Sequence, residues 1–205
     1  MAFMSASGLG PYAAVSLTKL TGASRSASAL SNIDLGVAWT LPILSNTWFA
    51  LRGGMLLPTG DEDEVASSLN ATVAAMRPTQ AVLFQPGALG GRLGAAMILV
   101  GSSCSLRLDT GMDAYFPFTK ALQLSPHWGA GFSYRANPVV ATLEMAGARY
   151  AETTSSRSEM HHSLGGSLRF ITDKVDSWQP GVSVSIPLEE PLERWFLGFD
   201  LTMRY

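Results

Sequence analysis

The chain has 205 residues, of which 47% are hydrophobic and only 15% are charged, and this length fits one domain. The net charge of −2, with 14 basic residues that form no cluster, argues against nucleic acid as a partner. The single Cys104 excludes an internal disulfide. No apolar run approaches the roughly 18 residues of a membrane-spanning helix, because the longest, Ala95–Val100, has six.

The start of the chain gives no sign of a targeting helix. Met1 to Gly10 lacks a basic region and a continuous apolar core, so it does not fit a secretory signal peptide. We expect residues 1–10 to form a flexible N-terminal segment and residues 11–205 to form a single domain. If the protein is exported, its signal has been removed or replaced by a new initiator.

Ten segments alternate apolar and polar residues with the period of a β-strand. The alternation is clearest in the second, from Ile33 to Leu41, and in the ninth, from Trp178 to Ile186. The predicted strands are Tyr12–Leu20, Asn32–Leu41, Thr47–Leu57, Arg92–Gly101, Ser105–Tyr115, Leu122–Arg135, Val139–Tyr150, His162–Ile171, Trp178–Pro187 and Trp195–Tyr205.

Short and long connections alternate between these strands, as in an up-and-down β-barrel with short turns at one end. Several strands reach about ten residues, near the 9–11 that a tilted membrane strand needs. The fold class predicted is therefore an all-β, antiparallel, up-and-down transmembrane β-barrel of about 10 strands. A soluble β-barrel or β-sandwich also alternates and remains the competing interpretation.

The last eleven residues, Trp195–Tyr205, alternate without interruption and end in an aromatic residue. Gly198, Leu201, Met203 and Tyr205 resemble the C-terminal signal of bacterial outer-membrane β-barrels. The resemblance implies a place in the outer membrane of a Gram-negative envelope. It also implies recognition of Trp195–Tyr205 by the outer-membrane assembly machinery. The expected partners are thus this machinery, the lipid bilayer with its lipopolysaccharide and envelope proteins, with no nucleic acid.

If the apolar faces meet lipid, residues of the opposite parity line the barrel interior. Counting from the short turns places Arg52, Asp109, Glu144 and Asp200 at a similar height, with Asp34 and His127 slightly higher. Ionisable groups inside a small barrel are costly unless they are paired or hydrated. This lumen-lining set predicts either a structural polar plug or a hydrated path, and the pattern leaves both open.

The connection Pro58–Gly91 is the one long loop with an internal pattern. A capping box at Thr59–Glu62 and the acidic run Asp61, Glu62, Asp63 and Glu64 are typical of a helix start. Val65, Leu69, Val73 and Met76 then recur at helical spacing before Pro78. We expect a partly helical extracellular loop that constricts the mouth or lies over the rim. The acidic run also has the oxygen ligands of a divalent-cation site, but no calcium-loop spacing.

The start of this loop, Leu57-Pro58-Thr59-Gly60-Asp61, resembles a motif at a strand end in a family of outer-membrane transporters. That family is associated with the meta-pathway of phenol degradation. The resemblance implies passage of small, often aromatic molecules. For the predicted barrel with its lumen-lining charges, the leading functional expectation is a porin-like passive channel or facilitator for small molecules, with no cofactor. The alternative is a non-conducting barrel that acts as an anchor or subunit of an envelope assembly.

A third possibility is a lipid A-modifying enzyme, which rests on His161 and Ser163. These two residues share a strand face, as a base and its nucleophile require. The pair resembles the His-x-Ser pair of outer-membrane lipid A deacylases, but the asparagine expected after the serine is replaced by Leu164. The expected glutamate is replaced by Val175 between Asp173 and Asp176. Adjacent histidines point to opposite strand faces, so no metal site is predicted at His161 and His162.

Overall fold

The computed structural model describes residues 8–15, 17–21, 26–60, 78–85, 87–116, 121–152, 158–171, 177–188 and 196–204. In these residues the chain is built from β-strands and one short 3₁₀ helix. The prediction of an all-β chain of antiparallel strands is confirmed. The strands are β1 (Leu9–Ala14), β2 (Leu17–Thr21), β3 (Ser26–Leu30), β4 (Ile33–Leu44), β5 (Thr47–Leu57), β6 (Leu89–Val100), β7 (Cys104–Phe116), β8 (Gln123–Ala136), β9 (Val139–Glu152), β10 (Ser158–Phe170), β11 (Ser177–Pro187) and β12 (Phe196–Arg204).

Ten of these strands form one sheet, in the order β1-β4-β5-β6-β7-β8-β9-β10-β11-β12. From β4 to β12 each strand pairs with the next one in sequence, as an up-and-down arrangement requires, and β1 pairs with β4. Within the described residues no pairing joins β1 to β12, so the sheet is open at this seam. The connections after β4, β6, β8 and β10 start at one end of the sheet, which we call the short-turn end because residues 45–46, 101–103 and 137–138 form short turns there; the opposite end is the long-loop end.

The beginning of the chain differs from the prediction. The strand expected at Tyr12–Leu20 is two elements: β1 ends at Ala14, and Leu17–Thr21 pairs with Ser26–Leu30 in a separate two-stranded sheet. Leu9 and Gly10, expected in the flexible N-terminal segment, belong to β1 and pair with Trp39 and Ala38. A period-two pattern identifies extended chain but not its pairing partner, so it merged the two strands.

The large sheet is curved. Neighbouring strands lie about 4.8 Å apart, so β4 and β11, seven places apart in the sheet order, would be about 34 Å apart in a flat sheet. Yet Thr79 and Gln80 line both a cavity walled by Ala38 of β4 and a cavity walled by Ser183 of β11. The face that carries Ala38 and Ser183 is therefore concave, and we call it the inner face; the opposite side is the outer face.

The outer face carries large apolar side chains that are exposed. Leu93 is 69% exposed, Leu143 57% and Phe132 49%. The inner face of the same strands buries charged and polar side chains, among them Arg92, Asp113 and His127. This distribution is the reverse of that in a soluble domain, where exposed apolar patches are small and charges are seldom fully buried.

A 3₁₀ helix, Pro78–Phe84, lies against the inner face at the long-loop end. Val82, Leu83 and Phe84 are buried and pack with Leu56 of β5 and Tyr115 of β7. The helix also touches β8, β9 and β10, so the curved sheet surrounds it on several sides. The longer helix expected within Asp61–Arg77, and the acidic run Asp61–Glu64 that begins it, lie outside the described residues.

Candidate functional site: the polar inner face

The inner face holds a buried charge network around Arg92. Its guanidinium donates from Nη1 to Asp34 Oδ2 and from Nε to Asp113 Oδ1, both at 2.9 Å. The third donor, Nη2, reaches the backbone oxygen of Thr79 in the 3₁₀ helix at 3.0 Å. The side chains of Arg92, Asp34 and Asp113 are at most 5% exposed. The network thus satisfies a buried cation and ties β4, β6 and β7 to the helix.

Two further residues extend this network. Tyr12 of β1 donates its hydroxyl to Asp34 Oδ1 at 3.2 Å. His127 of β8 is buried, with Nδ1 3.6 Å from Asp113 Oδ2 and Nε2 near Arg52. The result is a chain of polar contacts across the inner face from β1 to β8.

Glycines on neighbouring strands make room for these side chains. Gly94 is paired with Arg52, and a Cβ at Gly94 would lie 2.6 Å from Arg52 Nε. Gly111 is paired with His127, and a Cβ there would collide with the imidazole. The polar side chains therefore lie flat across the backbone of the next strand, which only a residue without a Cβ permits.

Asn32, directly before β4, fixes the loop that carries the 3₁₀ helix. Its side-chain amide donates to the backbone oxygens of Val82 and Gln85, and its amide oxygen accepts from Gly60 N at 2.9 Å. Its backbone N–H donates to Leu83 O at 2.8 Å. Thr59 adds a hydrogen bond from Ile33 N at 2.9 Å. Thr59 and Gly60 of the Leu57–Asp61 motif thus close the start of the loop onto β4.

A second cluster lies nearer the short-turn end. Arg107 of β7 donates to Asp109 Oδ2 at 3.1 Å and to Glu144 Oε1 of β9 at 3.0 Å. The side chains of Arg107 and Glu144 are 49% and 47% exposed. Because both residues lie on the concave inner face, this exposure is to solvent inside the curve of the sheet. The inner face is therefore closely packed near the 3₁₀ helix and hydrated towards the short turns.

Two cavities occupy this hydrated part. One, of about 290 Å³, is lined by Arg107, Glu144 and serines of β10 and β11. The other, of about 270 Å³, is lined by Arg52, Asp109 and small residues of β4 to β6. Thr79 and Gln80 of the 3₁₀ helix line both, as does Arg107. The tip of the helix and Arg107 therefore stand between the two cavities, which together we call the vestibule. A separate open groove of about 710 Å³ lies on the apolar outer face around Trp39, Leu51 and Leu93.

Hydroxyl groups form a row on the inner face, and two of them, those of Ser167 and Ser183, line the first cavity. Ser133 pairs with Thr142, Thr142 with Ser167, and Ser167 with Ser183, so one row crosses four strands from β8 to β11. The hydroxyls of Ser133 and Thr142 are 3.0 Å apart. Directly paired residues of antiparallel strands share a sheet face. The adjacent row carries Gly131, Glu144, Gly165 and Ser185.

The structure places the predicted lumen-lining residues in two clusters rather than one layer. Asp34, Arg52 and His127 belong to or contact the buried network. Asp109 and Glu144 are joined by Arg107. Asp200 pairs with Gly181 in the β11–β12 register, but its side chain lies outside the described part of the structure.

The sequence interpretation missed Arg92, Asp113 and Arg107, and treated Arg52 as the one interior arginine. The signal was present in the alternation. Arg107 lies two residues before Asp109, and Asp113 four residues after it, so all three share one face of β7. Arg92 was placed at the very start of a strand, whereas β6 begins at Leu89, and the parity of one terminal residue carries little weight.

His161 and Ser163 occupy the inner-face positions of β10. Ser163 is 5% exposed and lines the first cavity, and His161 contacts the Tyr150 ring edge-on at 5.2 Å between centroids. His162, on the opposite parity, lies 5.8 Å from the Trp128 ring. Ser163 therefore faces the first cavity, whereas His161 is not among the described residues that line it. The residues that replace the acidic partner, Asp173 to Asp176, lie outside the described residues.

Comparison of the chain with protein-family models, with curated proteins and with solved structures gives no match. Across the part of the chain that the structure describes, no helix is long and apolar enough to cross a bilayer. No cluster of three or more histidine, cysteine or carboxylate side chains suited to a metal ion occurs in that same part.

Proposed function

We propose that the protein is an outer-membrane β-barrel that acts as a passive facilitator for small molecules, with its narrowest point at the 3₁₀ helix. The single observation that carries the proposal is the inverted distribution of side chains on the curved sheet. The outer face exposes large apolar residues such as Leu93 and Leu143, whereas the inner face carries charges and the solvent-accessible vestibule. Lipid outside and water inside account for both faces.

Strand length and order support the same proposal. β6 to β10 have 12 to 14 residues, somewhat more than the 9–11 or so that a tilted strand needs to span a bilayer. Their up-and-down order is that of bacterial outer-membrane barrels. Pairing of β1 with β12 would close the sheet and remove both exposed edges, which a bilayer requires.

The vestibule defines the path. From the short-turn end, solvent reaches Arg107 and Glu144, which remain half exposed. Beyond them the 3₁₀ helix and the buried network around Arg92 occupy the interior. Passage through the barrel therefore requires the loop of residues 58–88 to shift, or a route along its side.

Conductance in a planar bilayer tests the proposal. The full chain should give small, rare openings, and a variant with Asp61–Arg77 replaced by a short Gly-Ser linker should open more often or more widely. Replacement of the exposed turn Ser102–Ser103 by Gly-Gly serves as the control for altered loop composition, and should leave conductance unchanged. Absence of conductance with both the full chain and the loop variant would disprove the facilitator.

A non-conducting barrel that serves as an anchor for an envelope assembly is the second candidate. The observation that favours it is the pairing of all three donor nitrogens of buried Arg92, which fixes the 3₁₀ helix in the interior. In that case the variant with the same loop replacement still inserts into the bilayer but shows no conductance. The two candidates thus differ in one measurement.

A further inference from the structure

We infer that the vestibule binds a small neutral polyhydroxylated molecule, of about monosaccharide size, between Arg107–Glu144 and the row of hydroxyls on β10 and β11. The inference rests on the proposed barrel, because the vestibule is its interior. It names the class of molecule that the site accepts. Three properties of the lining carry it: charge balance, density of hydroxyls and lack of aromatic groups.

The charges that line the vestibule are balanced. Among its described lining residues, Arg52 and Arg107 are matched by Asp109 and Glu144. Arg107 already contacts both carboxylates. A ligand with net charge would meet a like charge beside every opposite one, which gives it no net electrostatic gain. A neutral ligand with donors and acceptors can instead use the guanidinium as donor and the carboxylate as acceptor.

Hydroxyl and amide groups face this ion pair. Ser163, Ser167, Ser183 and Ser185 line the first cavity, together with Gln80 from the tip of the 3₁₀ helix. Ser167 and Ser183 are directly paired across β10 and β11. Hydroxyls both donate and accept, and rotate to suit a partner. A wall of this kind matches a molecule that carries several hydroxyls of its own.

The volume of the vestibule and the types of residue that line it also favour a ligand of this class. Each half has about 270 to 290 Å³, close to the lower limit of roughly 300 Å³ for small-ligand pockets. None of the described residues that line either half is aromatic, so a flat aromatic ring has no stacking partner. The aromatic cargo suggested by the Leu57–Asp61 resemblance therefore finds no matching surface here.

Saturation-transfer difference NMR on the full chain folded in detergent micelles tests the inference, because it detects weak binding without passage. Glucose should receive saturation from the protein, whereas acetate, ethylammonium and phenol should receive roughly tenfold less or none. A Ser167→Ala/Ser183→Ala variant should lower the glucose signal about tenfold, since it removes two hydrogen-bonding groups. Ser103→Ala, an exposed hydroxyl in the β6–β7 turn, is the matched control and should leave the signal unchanged.

The outcomes separate this inference from the proposed function. Conductance without glucose saturation overturns the binding site and leaves the facilitator intact. Glucose saturation combined with no conductance from either the full chain or the loop variant supports the site and disproves the facilitator. If acetate or phenol gives the strongest signal, the ligand class is wrong. A glucose signal that survives the double serine substitution places binding elsewhere and also overturns the inference.

Discussion

Arg92 and Arg107 show how burial alone changes the role of the same side chain. Each arginine contacts two carboxylates of the inner face at 2.9 to 3.1 Å. The Arg92 side chain is 3% exposed, whereas that of Arg107 is 49% exposed. Water screens the second set of contacts and leaves the first unscreened. Arg92 is therefore expected to be structural, and Arg107 to be available to a ligand.

Substitution of each arginine by methionine tests this difference. Arg92→Met leaves Asp34 and Asp113 buried without their cation, and should lower the free energy of unfolding by about 3–5 kcal/mol. Arg107→Met, the matched control, should cost about 0–1 kcal/mol because water solvates the carboxylates that remain. Urea titration of the folded protein in detergent, followed by circular dichroism, measures both. Equal losses in the two variants would contradict the assignment.

At the level of elements, most strands were predictable because alternation is strong wherever one face is apolar. The segment Thr47–Leu57 has the predicted bounds, and the strand predicted at Val139–Tyr150 ends slightly later, at Glu152. The 3₁₀ helix was not predictable. Val82-Leu83-Phe84 is a contiguous apolar run without period, and periodicity alone does not assign such a run to a strand or a helix.

The candidate site was only partly predictable for a related reason. Parity identifies which residues share a face within one strand, and so it selected Asp34, Asp109 and Glu144. It does not give the stagger between strands, which determines the pairs that meet across the sheet. Arg107 reaches Glu144 two strands away, and this contact follows from the register of β7, β8 and β9. Heights counted from the turns grouped Arg52, Asp109 and Glu144, which all line the vestibule, but did not predict which charges are in contact.

The hydrogen bonds of Asn32 make a prediction about the loop as an element. Asn32→Ala removes the amide contacts to Val82, Gln85 and Gly60, at a cost of about 1–3 kcal/mol to the docking of the loop. Hydrogen exchange in residues 78–85 should become faster, while exchange in β7 to β10 stays slow. Asn46→Ala, in the exposed β4–β5 turn, should change neither.

Two results of the hydrogen-exchange experiment on Asn32→Ala would contradict this prediction. If Asn32→Ala accelerates exchange throughout the sheet, the loop and the strands unfold as one cooperative unit. In that case the loop does not move independently, and gating by its displacement is excluded. Exchange in residues 78–85 that stays as slow as in the unaltered chain would show that the apolar core around Phe84 alone fixes the helix.

For the whole molecule, the two faces of one strand distinguish a bilayer from water as the surroundings. Leu93 points outward from β6 and is 69% exposed, whereas Ala96 lines the second cavity. In a membrane barrel, Leu93→Arg should lower the free energy of unfolding in liposomes by about 2–4 kcal/mol, because the cation faces lipid. Ala96→Arg, placed opposite Asp109 in the register, should be tolerated.

A soluble β-domain reverses this expectation. There Leu93→Arg replaces an exposed apolar side chain by a charged one and costs little, whereas Ala96→Arg would overfill the interior. Urea titration of both variants in liposomes therefore decides between the two architectures. The sign of the difference between the variants is the result to record.

The position of Cys104 gives the molecule a built-in reporter of its orientation. This residue begins β7 beside a short turn, is exposed, and is the single cysteine of the chain. A membrane-impermeant maleimide therefore modifies one defined point at the short-turn end, with no engineered substitution. For the proposed outer-membrane barrel, labelling of intact cells, compared with that of cells whose outer membrane has been permeabilised, would show on which side of that membrane the short-turn end lies.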